Sequence, residues 1–177
     1  MNNIGKGYIH IYTGNGKGKT TAAYGLALRA AGSGLKTYIV QFMKNFPYGE
    51  IDSFKRFEDL ITVEQFCGDD WVFKKQLPSD EERKEAAKGL ERAWQFMNSG
   101  DFDLIILDEV CVSIYFQLIS KEQVLPFLKN KPEGIELILT GRYCPDEFIQ
   151  LADLVTEMRE VKHYYQNGVT SRKGIES

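Results

Sequence analysis

Long apolar runs are missing from this chain. No hydrophobic stretch approaches the roughly 20 residues that a helix needs to cross a bilayer, so no membrane span or membrane partner is expected. The opening residues, MNNIGKGYIHIY, have neither the apolar segment nor the small-residue cleavage site of a secretory signal, and an intracellular, cytoplasmic protein is expected. Cysteine is scarce: Cys67, Cys111 and Cys144 are far apart and form no C-x-x-C pair, which argues against zinc and against a disulfide framework. Histidine is scarcer still. His10 lies within an apolar run and reads as a packed or paired residue, and neither it nor His163 has a second histidine nearby to build a metal site. Positive charge is not in excess either: 22 Lys and Arg stand against 25 Asp and Glu, a net charge of −3, so nucleic acid is not expected as the main partner.

What is present is the composition of an ordinary globular protein, 43% apolar and 27% charged, in 177 residues, enough for one well-buried core and one domain spanning 1–177. Short β-branched, apolar segments recur at 8–13, 37–42, 61–66, 103–108 and 135–140, with a weaker sixth at 154–158, and each reads as a strand. Helical patterns lie between most of them. The clearest covers 79–99: Ser79 and Glu82 form a capping box, and Ala86, Leu90, Ala93 and Met97 repeat on one face. A second helix, 20–31, ends near Gly32 and Gly34, and a third, 120–130, opens on Ser120 with Gln123 and contains Pro126, which is expected to kink or shorten it. Strands alternating with helices predict an α/β fold, a mostly parallel open sheet with helices on both faces. Residues 43–50, 67–78 and the tail from Lys162 are the least regular.

Such sheets bind ligands beyond the carboxyl ends of their strands, and the chemical motifs fall there. TGNGKGKTT, Thr13 to Thr21, directly follows the first strand and opens the first helix. It fits the phosphate-binding pattern G-x-x-x-x-G-K-[ST] except that Thr13 stands at the first glycine. Gly14, Gly16 and Gly18 let the backbone around Asn15 and Lys17 curl so that its N–H groups face phosphate oxygens. Lys19 supplies a full positive charge, and the hydroxyl of Thr20, next to Thr21, suits Mg²⁺. LIILDE delivers Asp108 and Glu109 to the same edge, where either could hold Mg²⁺ directly or through water. Arg142, in LTGR, lies just past the fifth strand and is placed to clamp a phosphate.

The residues alone therefore reach a Mg-ATP-binding α/β domain, and leave open a motor or switch ATPase, a small-molecule kinase, or an enzyme that uses ATP differently. No arginine-rich lid of the sort that phosphoryl transfer uses is visible. Instead Phe66, Trp71 and Phe73 cluster after the third strand, which suits a flat apolar second ligand, although aromatics that merely anchor a loop on the core would look the same.

The blocks TGNGKGKTTAAYGLALRAAGSG, VQFMK, LDE, LTGR and ADLVTEMREVKHYYQNGVTSRKGIE together resemble the CobA-type ATP:cob(I)alamin adenosyltransferases, also called corrinoid adenosyltransferases, from Gly7 to Glu176. The resemblance implies a P-loop NTPase (RecA-like) architecture. It also implies that the Co(I) of a reduced corrinoid (cobalamin or a relative) attacks C5′ of ATP, forming a cobalt–carbon bond and expelling triphosphate. Carried onto this sequence, it makes Gly14–Thr21 with Arg142 the ATP site and Thr20, Asp108 and Glu109 the Mg²⁺ site. Lys19, Thr20 and Glu109 then assist the leaving group, while Trp71, with Phe73, presses on the corrin. It further implies a homodimer and an electron-donor protein. A RecA-like ATPase and an ATP-dependent corrinoid chaperone are the alternatives. The chain departs from the family's pattern at Asp69, where members have phenylalanine, at Pro126, and in the roughly seven residues before the first strand, where some members carry an extra segment.

Overall fold

A computed structural model of the chain describes residues 4–44, 48–67 and 77–176. The six expected strands form, with boundaries shifted by at most one residue: β1 Ile9–Thr13, β2 Thr37–Phe42, β3 Ile61–Phe66, β4 Leu104–Asp108, β5 Glu136–Thr140 and β6 Leu154–Glu157. They make one sheet in the order β3-β2-β4-β5-β1-β6, and every pairing is parallel. All six carboxyl ends therefore lie on one edge. In β4, Ile105 and Leu107 point to one face and Leu104 and Ile106 to the other, and all four are buried, as expected of a strand covered on both sides.

The helices divide accordingly. On one face, α1 (Lys19–Ala31) packs Ala23, Tyr24, Ala27 and Ala30 against Ile39, Ile106 and Ile138, with Phe54 of α2 (Gly49–Phe54) beside them. The other face carries α3 (Asp80–Ser99), α4 (Val110–Tyr115), α5 (Lys121–Lys129) and α6 (Asp146–Leu151). Both capping boxes form: the Ser79 and Ser120 hydroxyls accept the amides of Glu82 and Gln123, whose side chains return to the cap amides. Pro126 lies inside α5, which continues for three residues past it; the missing N–H leaves the carbonyl of Glu122 without its usual partner in the helix. The helices that periodicity does not reveal, α2, α4 and α6, are six residues each, under two turns, too short for a repeating apolar stripe. Among the described residues, no helix is long and apolar enough to cross a membrane.

The strand order positions the site. β5 lies between β1 and β4, so the turn after β5 is flanked by the glycine loop on one side and the acidic pair on the other. Three segments distant in sequence thereby meet at one edge.

Candidate functional site

The loop after β1 is held open and walled from outside. Gly14 and Gly18 take φ of 94° and 118°, a region that L side chains rarely adopt. Gly16 is glycine for a different reason: its N–H donates to Met158 O at 2.6 Å, and a Cβ there would stand 2.7 Å from that oxygen and 2.8 Å from the carbonyl carbon of Arg159. The segment following β6 thus forms the outer wall of the loop. It is tied down by a second bond, from Met158 N–H to Thr13 O at 2.8 Å.

Lys19, the first residue of α1, folds back across this loop, donating to Gly14 O at 2.9 Å and Gly16 O at 2.8 Å. It is 8% exposed, and burial lowers its ammonium below the usual lysine range against the opposing pull of Glu109. An ammonium resting on carbonyls is poised to exchange them for the stronger acceptors of a phosphate.

Asp108, fully buried at the end of β4, is the hub. Its Oδ1 accepts the hydroxyls of Thr20 at 3.0 Å and Thr140 at 2.6 Å; its Oδ2 accepts the Tyr24 hydroxyl at 3.2 Å, the Lys44 ammonium at 2.9 Å and the Gln41 amide at 3.4 Å. Burial opposes its charge, yet Lys44 and these donors together hold its carboxyl below the ordinary value, so it is an anion at neutral pH. Glu109 follows at φ 61°, a left-handed turn that starts α4 and is fixed by the bond from its amide to Thr140 Oγ1 at 2.9 Å. Burial, reinforced by the Asp108 charge, pushes the Glu109 carboxyl up, against the pull of Lys44. Its Oε1 lies 3.8 Å from Lys44 Nζ, beyond hydrogen-bond reach.

Arg142 comes to the same edge, donating to Asn15 O at 3.2 Å. Gly141 before it, at φ 133°, packs so tightly on α4 that a Cβ would lie 2.8 Å from Val112 N. Thr21 is exposed on the first turn of α1. Lys17 is turned to the tail: its ammonium donates to Ile175 O at 2.8 Å and to Glu176 Oε1 at 3.0 Å. Trp71 and Phe73, with Asp69, lie outside the described residues. His10 is paired, with Nε2 2.6 Å from Glu136, and His163 caps the turn Tyr164–Asn167 by accepting from Tyr165 N–H.

Three parts of the site escape sequence reasoning. Lys44 in VQFMK and Thr140 in LTGR match no site motif, and Tyr24 with Gln41 forms a buried polar chain to Asp108, joined at 2.9 Å. One signal was available, a glutamine inside the apolar strand TYIVQF, since a buried amide implies a polar partner. A cleft of about 480 Å³ also opens beside the first half of the loop, lined by Asn15, Tyr143, Ile149 and Val155 among others.

The donor set fits a hard divalent cation. Thr20, Asp108 and Glu109 offer only oxygen, and no group of three His, Cys, Asp or Glu gathers among the described residues. One or two carboxylates completed by phosphate oxygens and water is how Mg²⁺ is usually held beside a nucleotide. A cation already stands there, the ammonium of Lys44.

Comparison with known proteins identifies the family. The family model described as ATP:corrinoid adenosyltransferase BtuR/CobO/CobP matches residues 5–177. A corrinoid adenosyltransferase of Escherichia coli K12 is 33% identical over 97% of this chain and 86% of its own length, and one of Pseudomonas aeruginosa is 32% identical over 97% and 84%. Among solved structures, a KaiC-like protein from Pyrococcus horikoshii superposes with a TM-score of 0.56 at 16% identity, covering 86% of this chain and 72% of that one, a likeness of fold. With a family model matching nearly from end to end, the chain belongs to the ATP:corrinoid adenosyltransferases.

Proposed function

We propose that the protein transfers the 5′-deoxyadenosyl group of ATP to the Co(I) of a reduced corrinoid. Both electrons of the new cobalt–carbon bond come from Co(I), the C5′–O bond breaks, and inorganic triphosphate leaves with that oxygen. The observation that carries this reading is the convergence of buried Lys19 and Asp108 with half-buried Thr20 and Glu109 beside the loop, inside a chain of this family. No phosphoryl group moves, so the protein has little acid–base work to do: it aligns C5′ with the metal and stabilises a highly charged leaving group.

Lys19 and the amides of Gly14–Thr21 grip the triphosphate, and Arg142 adds a guanidinium from the turn after β5. Thr20 and Glu109 would hold Mg²⁺ directly. Asp108, whose oxygens already accept five donors, acts from behind by orienting the Thr20 hydroxyl. Bound Mg²⁺ supplies charge neutralisation as the leaving group forms. Trp71 and Phe73 are proposed as corrin contacts on the segment that follows β3. One domain carries all these roles. A cytoplasmic homodimer receiving electrons from a donor protein completes the reading.

The decisive measurement is the phosphate product. With Mg-ATP and chemically reduced corrinoid, a light-sensitive adenosylated product should appear together with triphosphate. ADP and phosphate without alkylation would sink the proposal in favour of a RecA-like ATPase, and tight binding without turnover would favour a chaperone.

A further inference from the structure

Lys44 lies two residues past the end of β2 and sends its ammonium into the acidic pocket. It donates to Thr20 Oγ1 at 3.0 Å and to Asp108 Oδ2 at 2.9 Å, and stands 3.8 Å from Glu109 Oε1. Thr20 and Glu109 are the proposed metal ligands, and Asp108 is the carboxylate behind them. Its side chain is only 14% exposed, and the ammonium lies 5.5 Å from the centre of the Tyr48 ring. A Mg²⁺ ion ligated by Thr20 would sit about 2.1 Å from its oxygen. An ammonium bonded to the same hydroxyl at 3.0 Å would stand within roughly 4–5 Å of that ion, and two cations so close in a largely buried pocket repel. Lys44 and Mg²⁺ therefore compete for Thr20 Oγ1.

We infer that Lys44 is an exchangeable internal cation. In the nucleotide-free protein it neutralises Asp108 and keeps free metal out. When Mg-ATP arrives, the ammonium leaves Thr20, keeps its bond to Asp108, and turns its freed N–H groups to the triphosphate, becoming a second triphosphate-binding lysine alongside Lys19. The charge balance favours this order. Lys44, with Lys19 and Arg142, already balances the carboxylates Asp108 and Glu109, and the pocket gains room for a divalent ion only when the triphosphate brings its own negative charge. Metal uptake is thereby made conditional on nucleotide. The inference rests on the Mg²⁺ reading above.

The test compares the wild-type protein with Lys44→Met, which keeps the stem and removes the charge, and with Lys44→Arg, which keeps the charge. Binding of Mn²⁺ and of inorganic tripolyphosphate is followed by calorimetry, and melting temperature by fluorescence, with no corrinoid present. Wild-type protein and Lys44→Arg should bind no Mn²⁺ until tripolyphosphate is added. Lys44→Met should bind Mn²⁺ alone, should be rescued in melting temperature by the metal alone, and should lose roughly tenfold or more in tripolyphosphate affinity. If Lys44→Met proves too unstable to purify, Mn²⁺ binding by nucleotide-free wild-type protein is by itself enough to overturn the inference. Equal metal binding by wild type and Lys44→Met, with tripolyphosphate affinity unchanged, overturns it too. Tripolyphosphate binding that ignores metal in every variant removes the Mg²⁺ reading, and the exchange with it.

Discussion

Lys17 of the glycine loop and Glu176 of the tail stand 3.0 Å apart although 159 residues separate them. Glu176 is held from the other side by Arg172, at 3.0 and 3.2 Å, and by the hydroxyl of Tyr164, whose ring also lies under the Arg172 guanidinium. These donors keep its carboxyl well below the ordinary range, Arg172 most of all, so the contact persists at neutral pH. The first lysine of GKGKTT, Lys17, is thus a fastener for the loop. Lys17→Ala and Glu176→Gln should each raise the KM for ATP, by roughly tenfold or less because the Lys17 end of the pair is open to solvent, with kcat little changed. The double variant should be no worse than the worse single one; additive effects would show that the two residues do not act through each other.

Gly16→Ala should damage the same wall from the loop side. Its Cβ would be driven against backbone atoms of Met158 and Arg159, which cannot swing away as a side chain can. A stability loss of about 1–3 kcal/mol is expected by urea unfolding, together with weakened ATP binding. A variant with wild-type stability and affinity would mean that the tail segment does not stay against the loop.

Lys19→Ala should abolish turnover while leaving the fold. The ammonium is bonded to two loop carbonyls and aimed at the phosphate position, so its removal should lower kcat by about 100-fold or more. Far-ultraviolet circular dichroism should be unchanged. An active Lys19→Ala protein would take the loop out of the chemistry.

A pH-dependent contribution is expected at β3, which leads into the segment carrying Trp71. Glu64 accepts from Arg92 of α3 at 2.8 and 3.1 Å and from the Tyr38 hydroxyl at 3.0 Å, and these bonds, chiefly Arg92, lower its carboxyl despite burial. A carboxyl depressed in the folded state stabilises fully above its unfolded value, about 4.3, and that contribution fades as pH falls through the lower folded value. Glu64→Gln should therefore show a modestly lower urea midpoint than wild type at pH 7, with the gap closing below about pH 4. A gap that does not depend on pH would assign the effect to shape and not to charge.

The elements longest or most regular in pattern were legible beforehand: six strands by β-branched apolar runs, α3 and α5 by their capping boxes, and the glycine loop by its place between strand and helix. The short helices were not, because two turns carry no period. The LIILDE motif marks Asp108 as a candidate metal ligand but gives no sign of its saturation by Thr20, Thr140, Tyr24, Gln41 and Lys44; those partners lie 32 to 88 residues away along the chain, a distance that no local pattern spans.

What the sequence by itself determined is the chemistry on offer: a glycine-rich nest, one lysine and one threonine in the right places, and two consecutive carboxylates at the end of an apolar strand. Local spacing is enough for that, since each motif is built within a few residues. Which side chains actually meet was decided only by the tertiary structure. Placing β5 between β1 and β4 brings Thr140 and Arg142 between loop and acids, pairing β2 with β4 drops Lys44 onto Asp108, and pairing β6 with β1 lays the tail against the loop. Strand order is a property of the whole folded sheet, and the identity of the cation waiting in the acidic pocket follows from it.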